Sequence, residues 1–209
     1  MQERTTMSKY EFPEKMIQNS RFRTFYAAWS AEEKHQLASK MRQLLRENAE
    51  YADRKNYGHL CNLITSLAMV MVLEENGKDR REAEKIVARA MYRFLTPQIR
   101  SMKKLAGHKW FVRFLKITMP VKFKATLGHG WKVEFPKCAG DTFSMTTHRC
   151  IYHQLFSKYG MPEMTAVFCK VDDILYSDLP CAKFTYTERI GTGGKVCDYS
   201  FIKRDSSSS

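Results

Sequence analysis

The signatures that most directly announce a chemistry are missing from this sequence. It contains no G-x-G-x-x-G, no G-x-x-x-x-G-K-[ST], no H-E-x-x-H and no G-x-S-x-G. Neither a dinucleotide site, a phosphate loop, a zinc-protease helix nor a nucleophile elbow is therefore signalled. Glycine is scarce at 10 residues and proline at 6, beside 44% hydrophobic and 27% charged residues, a balance that excludes a low-complexity or disordered chain. Six cysteines in 209 residues are too few for a disulfide scaffold. No apolar segment follows a basic start at the N-terminus, so no secretory signal is expected and the cysteines read as reduced, cytoplasmic thiols. Long hydrophobic runs are also lacking. The longest, Leu60 to Leu73, is broken by Asn62, Thr65 and Ser66 and falls short of the roughly 20 residues that cross a bilayer; it reads as a buried helix, and no membrane partner is expected.

What the chain does have is positive charge, a net +13, which favours a small anionic molecule as partner. Lys103, Lys104, His108, Lys109, Arg113 and Lys116 surround Trp110, Phe111 and Phe114, a mixture that could track phosphates and stack on bases. No helix-turn-helix, zinc-finger or ribonucleoprotein signature accompanies it, so nucleic acid is the weaker expectation and a helix packing its aromatics inward the stronger. The apolar helices would also allow a homo-oligomer.

The patterning predicts an α+β fold, an N-terminal helical region followed by an antiparallel sheet with two helices inserted between strands. Residues 1–29 read as an N-terminal arm and 30–204 as one domain, helical over 30–118 and sheet-rich over 119–204. Residues 205–209, an Asp and four serines, read as a disordered tail. Ser30-Ala-Glu-Glu33 has capping-box spacing, and Leu37, Met41, Leu44 and Leu45 follow at helical intervals. Asp79-Arg-Arg-Glu82 repeats the start signal, and Pro97 ends or bends the helix that follows. From Val121, VKFKATLGHGWKVEFP alternates apolar and polar residues about Gly128-His-Gly130, which predicts a two-stranded hairpin. FSMTTH reads as a third strand, IYHQLFSK as a short helix closed by Gly160, and residues 163–177 as another helix. AKFTYTERI and KVCDYSFI then form a hairpin across Gly191-Thr-Gly-Gly194, for five strands in all.

Three cysteines stand out. Cys150 falls at the first turn of the helix after the third strand, where unpaired N–H groups and the helix dipole favour a thiolate. Cys169 and Asp172 are three residues apart on a predicted helix and so share a face, with Asp173 close to it; a carboxylate there could do acid–base work. Cys197 and Asp198 are adjacent on a strand and must point to opposite sides, so at most one lines any pocket. His148, Cys150 and His153 include zinc-ligand types, but their spacing lacks a paired C-x-x-C element, and no cofactor is expected.

Taken in order, Cys150 before a helix, Phe168-Cys169 with Asp172, Arg189, and Cys197-Asp198-Tyr199 resemble the L-2-amino-thiazoline-4-carboxylic acid hydrolase family over about the last 60 residues. The closing segment, RIGTGGKVCDY, is shorter than the family pattern between the arginine and the Cys-Asp pair, and Tyr199 stands where that pattern has phenylalanine. The resemblance implies a hydrolase that adds water to the C=N carbon of a cyclic amidine. It implies Cys150, Cys169, Asp172, Cys197 and Asp198 as catalytic candidates and Arg189 and His148 as substrate-binding ones, Arg189 through a bidentate grip on a carboxylate. An alternative is a non-catalytic small-molecule-binding module related in fold to 4-vinyl reductase domains, and a third reading binds zinc or iron through Cys150, Cys169 and Cys197.

Overall fold

A computed structural model describes Tyr10 and residues 12–204; the serine tail lies outside the described residues, as does most of the sequence before Phe12. Two compact units divide the chain, one running up to Phe94 and adding Thr126–His129, the other formed by Leu95–Ala125 and the chain from Gly130 onward.

The first unit is helical: α1 Pro13–Gln18, α2 Arg23–Ala27, α3 Ala31–Glu47, α4 Tyr57–Glu75 and α5 Arg80–Arg93. Within the segment read as an arm, α1 and α2 form, and Met16, Ile17 and Phe22 lie fully buried. The cap of α3 is reciprocal: Glu33 N–H donates to Ser30 Oγ at 3.2 Å and Ser30 N–H donates to Glu33 Oε2 at 2.7 Å. Such pairing satisfies two of the donors that a helix start leaves open. Asp79 caps α5 by accepting from Glu82 N–H at 2.9 Å. Leu37, Met41, Leu44 and Leu45 of α3 face inward as their spacing demands. Helix α4 is buried almost all round, from Leu60 to Val72. At 19 residues it is longer than its uninterrupted apolar run, and by length and composition it could cross a membrane; 67% of its apolar window is buried in protein, as in the core helix of a folded domain.

The second unit joins α6 Thr96–Ala106 and α7 Phe111–Thr126 to a sheet of β1 Lys132–Glu134, β2 Thr142–Arg149, β3 Ala182–Tyr186 and β4 Cys197–Lys203, with α8 Ile151–Lys158 and α9 Met164–Tyr176 between β2 and β3. The sheet order is β1-β2-β4-β3, antiparallel throughout, so the α+β class with helices ahead of the sheet is as the patterning predicts. Pro97 sits in the first turn of α6, where its missing N–H costs no hydrogen bond. Phe111, Val112 and Leu115 of α7 pack with Phe143, Leu179, Ala182 and Phe201 in the core beneath the sheet.

The hairpin predicted around Gly128 does not form, and the described sheet has four strands rather than five. Residues 121–126 continue α7, and only Lys132–Glu134 is a strand. Val121 and Phe123 would share a face in a strand, but a helix sends them to nearly opposite sides. Phe123 accordingly stacks on Phe135 at 5.9 Å while Val121 is exposed. The glycine loop is held within the first unit, where Gly128 N–H donates to Asn56 Oδ1 at 3.0 Å and His129 N–H to Asp53 Oδ2 at 2.7 Å. Any side chain at Gly128 would collide with the Asp53 carboxylate.

Candidate functional site

Strand alternation decides the orientation of β4. Cys197, Tyr199 and Phe201 lie buried on one face, and Asp198 and Ser200 fall on the other. Ahead of β4 the chain turns through a short 3-10 segment, Ile190–Thr192, and packs directly on α9. Gly191 makes this approach available: a Cβ there would sit 2.9 Å from Cys169 Sγ and 3.0 Å from the backbone of residues 165 and 166. Helix α9 thus presents Cys169 to the turn, and the turn presents the Ile190 N–H to Cys197 Sγ at 3.3 Å.

The two sulfurs form one hydrogen-bonded unit. The Cys169 thiol donates to Cys197, which draws the Cys197 thiol down to about 7 against the opposing effect of burial; the Ile190 N–H and the Tyr199 hydroxyl add to the lowering. The same bond, followed by burial, pushes Cys169 far above the ordinary thiol range, because its proton is held between the sulfurs. Cys150 is the third member. It occupies the N-cap of α8, as its position predicts, and packs against the cluster formed by Ile190, Cys197 and Tyr199. Burial nevertheless pushes its thiol up to about 11, more than the backbone N–H groups of His153 and Tyr152 pull it down. The helix terminus alone therefore does not make Cys150 a thiolate. Asp172 acts on every member of the group: its charge raises Cys150, Cys169, Cys197 and the Tyr199 hydroxyl alike. The fold thus brings Cys150, Cys169, Cys197 and Asp172 together.

Arg189 borders the group but is already engaged. Its Nη1 and Nη2 each donate at 2.7 Å to the Asp173 carboxylate, and its guanidinium lies 3.5 Å above the Tyr186 ring and 5.2 Å from that of Tyr199. Burial is the largest influence and lowers its pKa, but the Asp173 bond together with the charges of Tyr199, Asp173 and Tyr186 more than reverses this, so the group stays charged at 3% exposure. Asp198 and His148 stand apart from the cysteines. The Asp198 carboxylate accepts from Thr187 N–H at 2.8 Å, from Glu188 N–H at 2.9 Å and from the Thr187 hydroxyl, pinning the end of the β3–β4 connection. Burial raises its pKa, and these bonds more than reverse the rise. His148, on β2, places Nε2 3.1 Å from Glu134 Oε2.

Among the described residues, the buried polar atoms His153 Nδ1 on α8, Thr165 Oγ1 on α9 and Arg189 Nε have no hydrogen-bond partner. Buried polar groups are ordinarily paired, so these are the atoms with capacity for a bound molecule. Thr165 and Gly191 escape sequence reasoning. Thr165 lies one helical turn before Cys169, and only the glycine-rich turn between two strands hints at close backbone approach. Among the described residues, no three His, Cys, Asp or Glu side chains are placed to hold a metal ion.

No curated protein and no solved structure gives a significant match to this chain. A family model does: that of L-2-amino-thiazoline-4-carboxylic acid hydrolase matches residues 61–201, taking in the three clustered cysteines, Asp172 and the turn that joins them. The chain belongs to the L-2-amino-thiazoline-4-carboxylic acid hydrolase family.

Proposed function

We propose that this protein hydrolyses a small, anionic cyclic amidine of the 2-amino-thiazoline-4-carboxylate type, with Cys197 as nucleophile. The observation that carries this reading is the convergence on Cys197 Sγ of the Ile190 N–H, at 3.3 Å, and the Cys169 thiol, donors that favour a thiolate on a buried strand. In the proposed reaction the Cys197 sulfur adds to the ring C=N carbon and the ring nitrogen takes up a proton. The ring C–S bond then breaks, and its sulfur leaves as a thiol. Water attacks the enzyme-bound amidine carbon, the bond to Cys197 breaks, and an N-carbamoyl-cysteine-type product departs. Asp172 is the acid–base group of this scheme, within electrostatic reach of all three thiols. The unpartnered Arg189 Nε, on a cation fixed by Asp173, supports contact with the substrate carboxylate. The net charge of +13 favours an anionic substrate's approach.

The test is turnover of 2-amino-thiazoline-4-carboxylate by the full chain, with intact-mass trapping of the covalent intermediate. Cys197→Ser is expected to lose at least about 10³-fold in kcat/KM and to form no adduct, as removal of a nucleophile commonly does. Substrate bound by the wild type without turnover would overturn the hydrolase and leave a binding module. Turnover retained in Cys197→Ser would move the chemistry to another residue.

A further inference from the structure

Helix α7 is apolar on two sides. One side carries Phe111, Val112 and Leu115 into the core. The other carries Trp110, at the helix start, and Phe114, Ile117 and Val121, which are 47%, 36%, 72% and 68% exposed. Their spacing of four, three and four residues sets them in one stripe along three turns. His108 stacks on Trp110 at 4.9 Å, and Trp110 meets Phe114 edge-on at 5.5 Å, so the aromatic end of the stripe is ordered. This corrects the expectation that the aromatics of this segment pack inward: Phe111 does, but Trp110 and Phe114 face out.

The segment that carries the stripe is charged with one sign. From Thr96 to Ala125 there is no Asp or Glu and there are eight Lys or Arg. Lys109, Arg113, Lys122 and Lys124 are exposed; Arg113 also meets Asp141 at 3.3 Å, and Lys116 turns inward to the carbonyls of Cys138 and Gly140. An anionic surface complements this ring of cations. A second copy of the chain does not, since the same cations would face each other across a two-fold axis. The two most exposed members, Ile117 and Val121, have no ring to stack on a base, whereas branched aliphatic side chains and an interfacial Trp enter the boundary between headgroups and acyl chains.

We propose that the outer face of α7 docks this protein on an anionic lipid bilayer, with Trp110, Phe114, Ile117 and Val121 inserted among the headgroups and the flanking Lys and Arg on the lipid phosphates. The protein would lie on the membrane, not across it. The inference is independent of the hydrolase reading.

The test is co-sedimentation of the full chain with phosphatidylcholine vesicles prepared with and without phosphatidylglycerol. Binding is expected only to the anionic vesicles and should weaken with salt as the surface charge is screened. The charge-neutral double variant Ile117→Ser, Val121→Ser should bind about tenfold or more weakly, because the apolar insertion is lost while the cations remain. Both positions are exposed, so an unchanged circular dichroism melt is expected to confirm folding. Unchanged vesicle binding by the double variant would overturn the proposal by assigning the effect to net charge alone. So would an absence of binding to anionic vesicles at low salt, or binding to a single-stranded oligonucleotide alone, which would make the face a nucleic-acid surface.

Discussion

Cys61 and Cys197 are both buried thiols, one in the helical unit and one in the sheet unit, and they are displaced in opposite directions. Cys61 sits on α4, where burial pushes it up to about 11 although a bond with Tyr57 pulls the other way. Cys197 sits on a strand under a glycine turn and is drawn down to about 7. The difference lies in what the sulfur accepts. Burial penalises the thiolate in both places and a backbone N–H opposes it in both, but only at Cys197 does a second thiol add its proton to hold the charge. One unit has used its thiol as packing, and the other has built a donor set around it.

The largest expected effect is on the reactivity of the two thiols. Cys197→Ser should abolish rapid iodoacetamide labelling at neutral pH, measured by site-resolved mass spectrometry, whereas Cys61→Ala should leave that labelling unchanged. Equal loss from both variants would show that the two sulfurs do not differ as described. Next in size is the helical core, where Leu63→Ala should destabilise by about 2–5 kcal/mol in urea unfolding through lost burial and a cavity. Labelling of Cys197 should survive this change if the donor set is local to the other unit.

A smaller and more pointed change is Gly191→Ala. Its methyl group would press on Cys169 Sγ and on the backbone of α9. Overpacking of this kind costs about 1–3 kcal/mol. Because it pushes the turn off Cys169, the midpoint of the labelling pH profile should rise toward the ordinary thiol value, which a merely structural lesion elsewhere would not cause.

The smallest expected effect is on stability against pH. A thiol raised on folding, such as Cys61, contributes stability below its unfolded value, and that contribution is lost as pH climbs through about 11. Cys197, lowered on folding, does the reverse, adding stability between about 7 and its unfolded value. Thermal melts should therefore fall above the ordinary thiol pKa of about 8.5. Cys61→Ala should flatten that fall, and Cys197→Ser should remove the gain that precedes it.

Much of this was legible in the residues. Ser30 and Glu33 could be paired by spacing because a helix start brings positions three apart together whatever surrounds them. The opposite orientation of Cys197 and Asp198 follows from strand alternation in the same way. Val121 to Thr126 misled because VKFKAT satisfies a strand's alternation. The helix won through Phe123 on Phe135 and through the Asp53 and Asn56 hold on the next loop, partners far away in sequence. Arg189 could be singled out, but not its engagement with Asp173, since a bidentate pair depends on where α9 and the turn come to rest.

The helix starts, the α+β order and the three cysteines at issue follow from the residues alone, because caps, periodicity and adjacency are properties of neighbouring residues. It took the packed fold to make Cys169 donate to Cys197, to hold Cys150 protonated by burial, and to leave α7 an apolar face with nothing of its own unit upon it. Each of these depends on the field and the neighbours supplied by segments distant in the chain, and a thiol's proton responds to those neighbours rather than to its place in a motif.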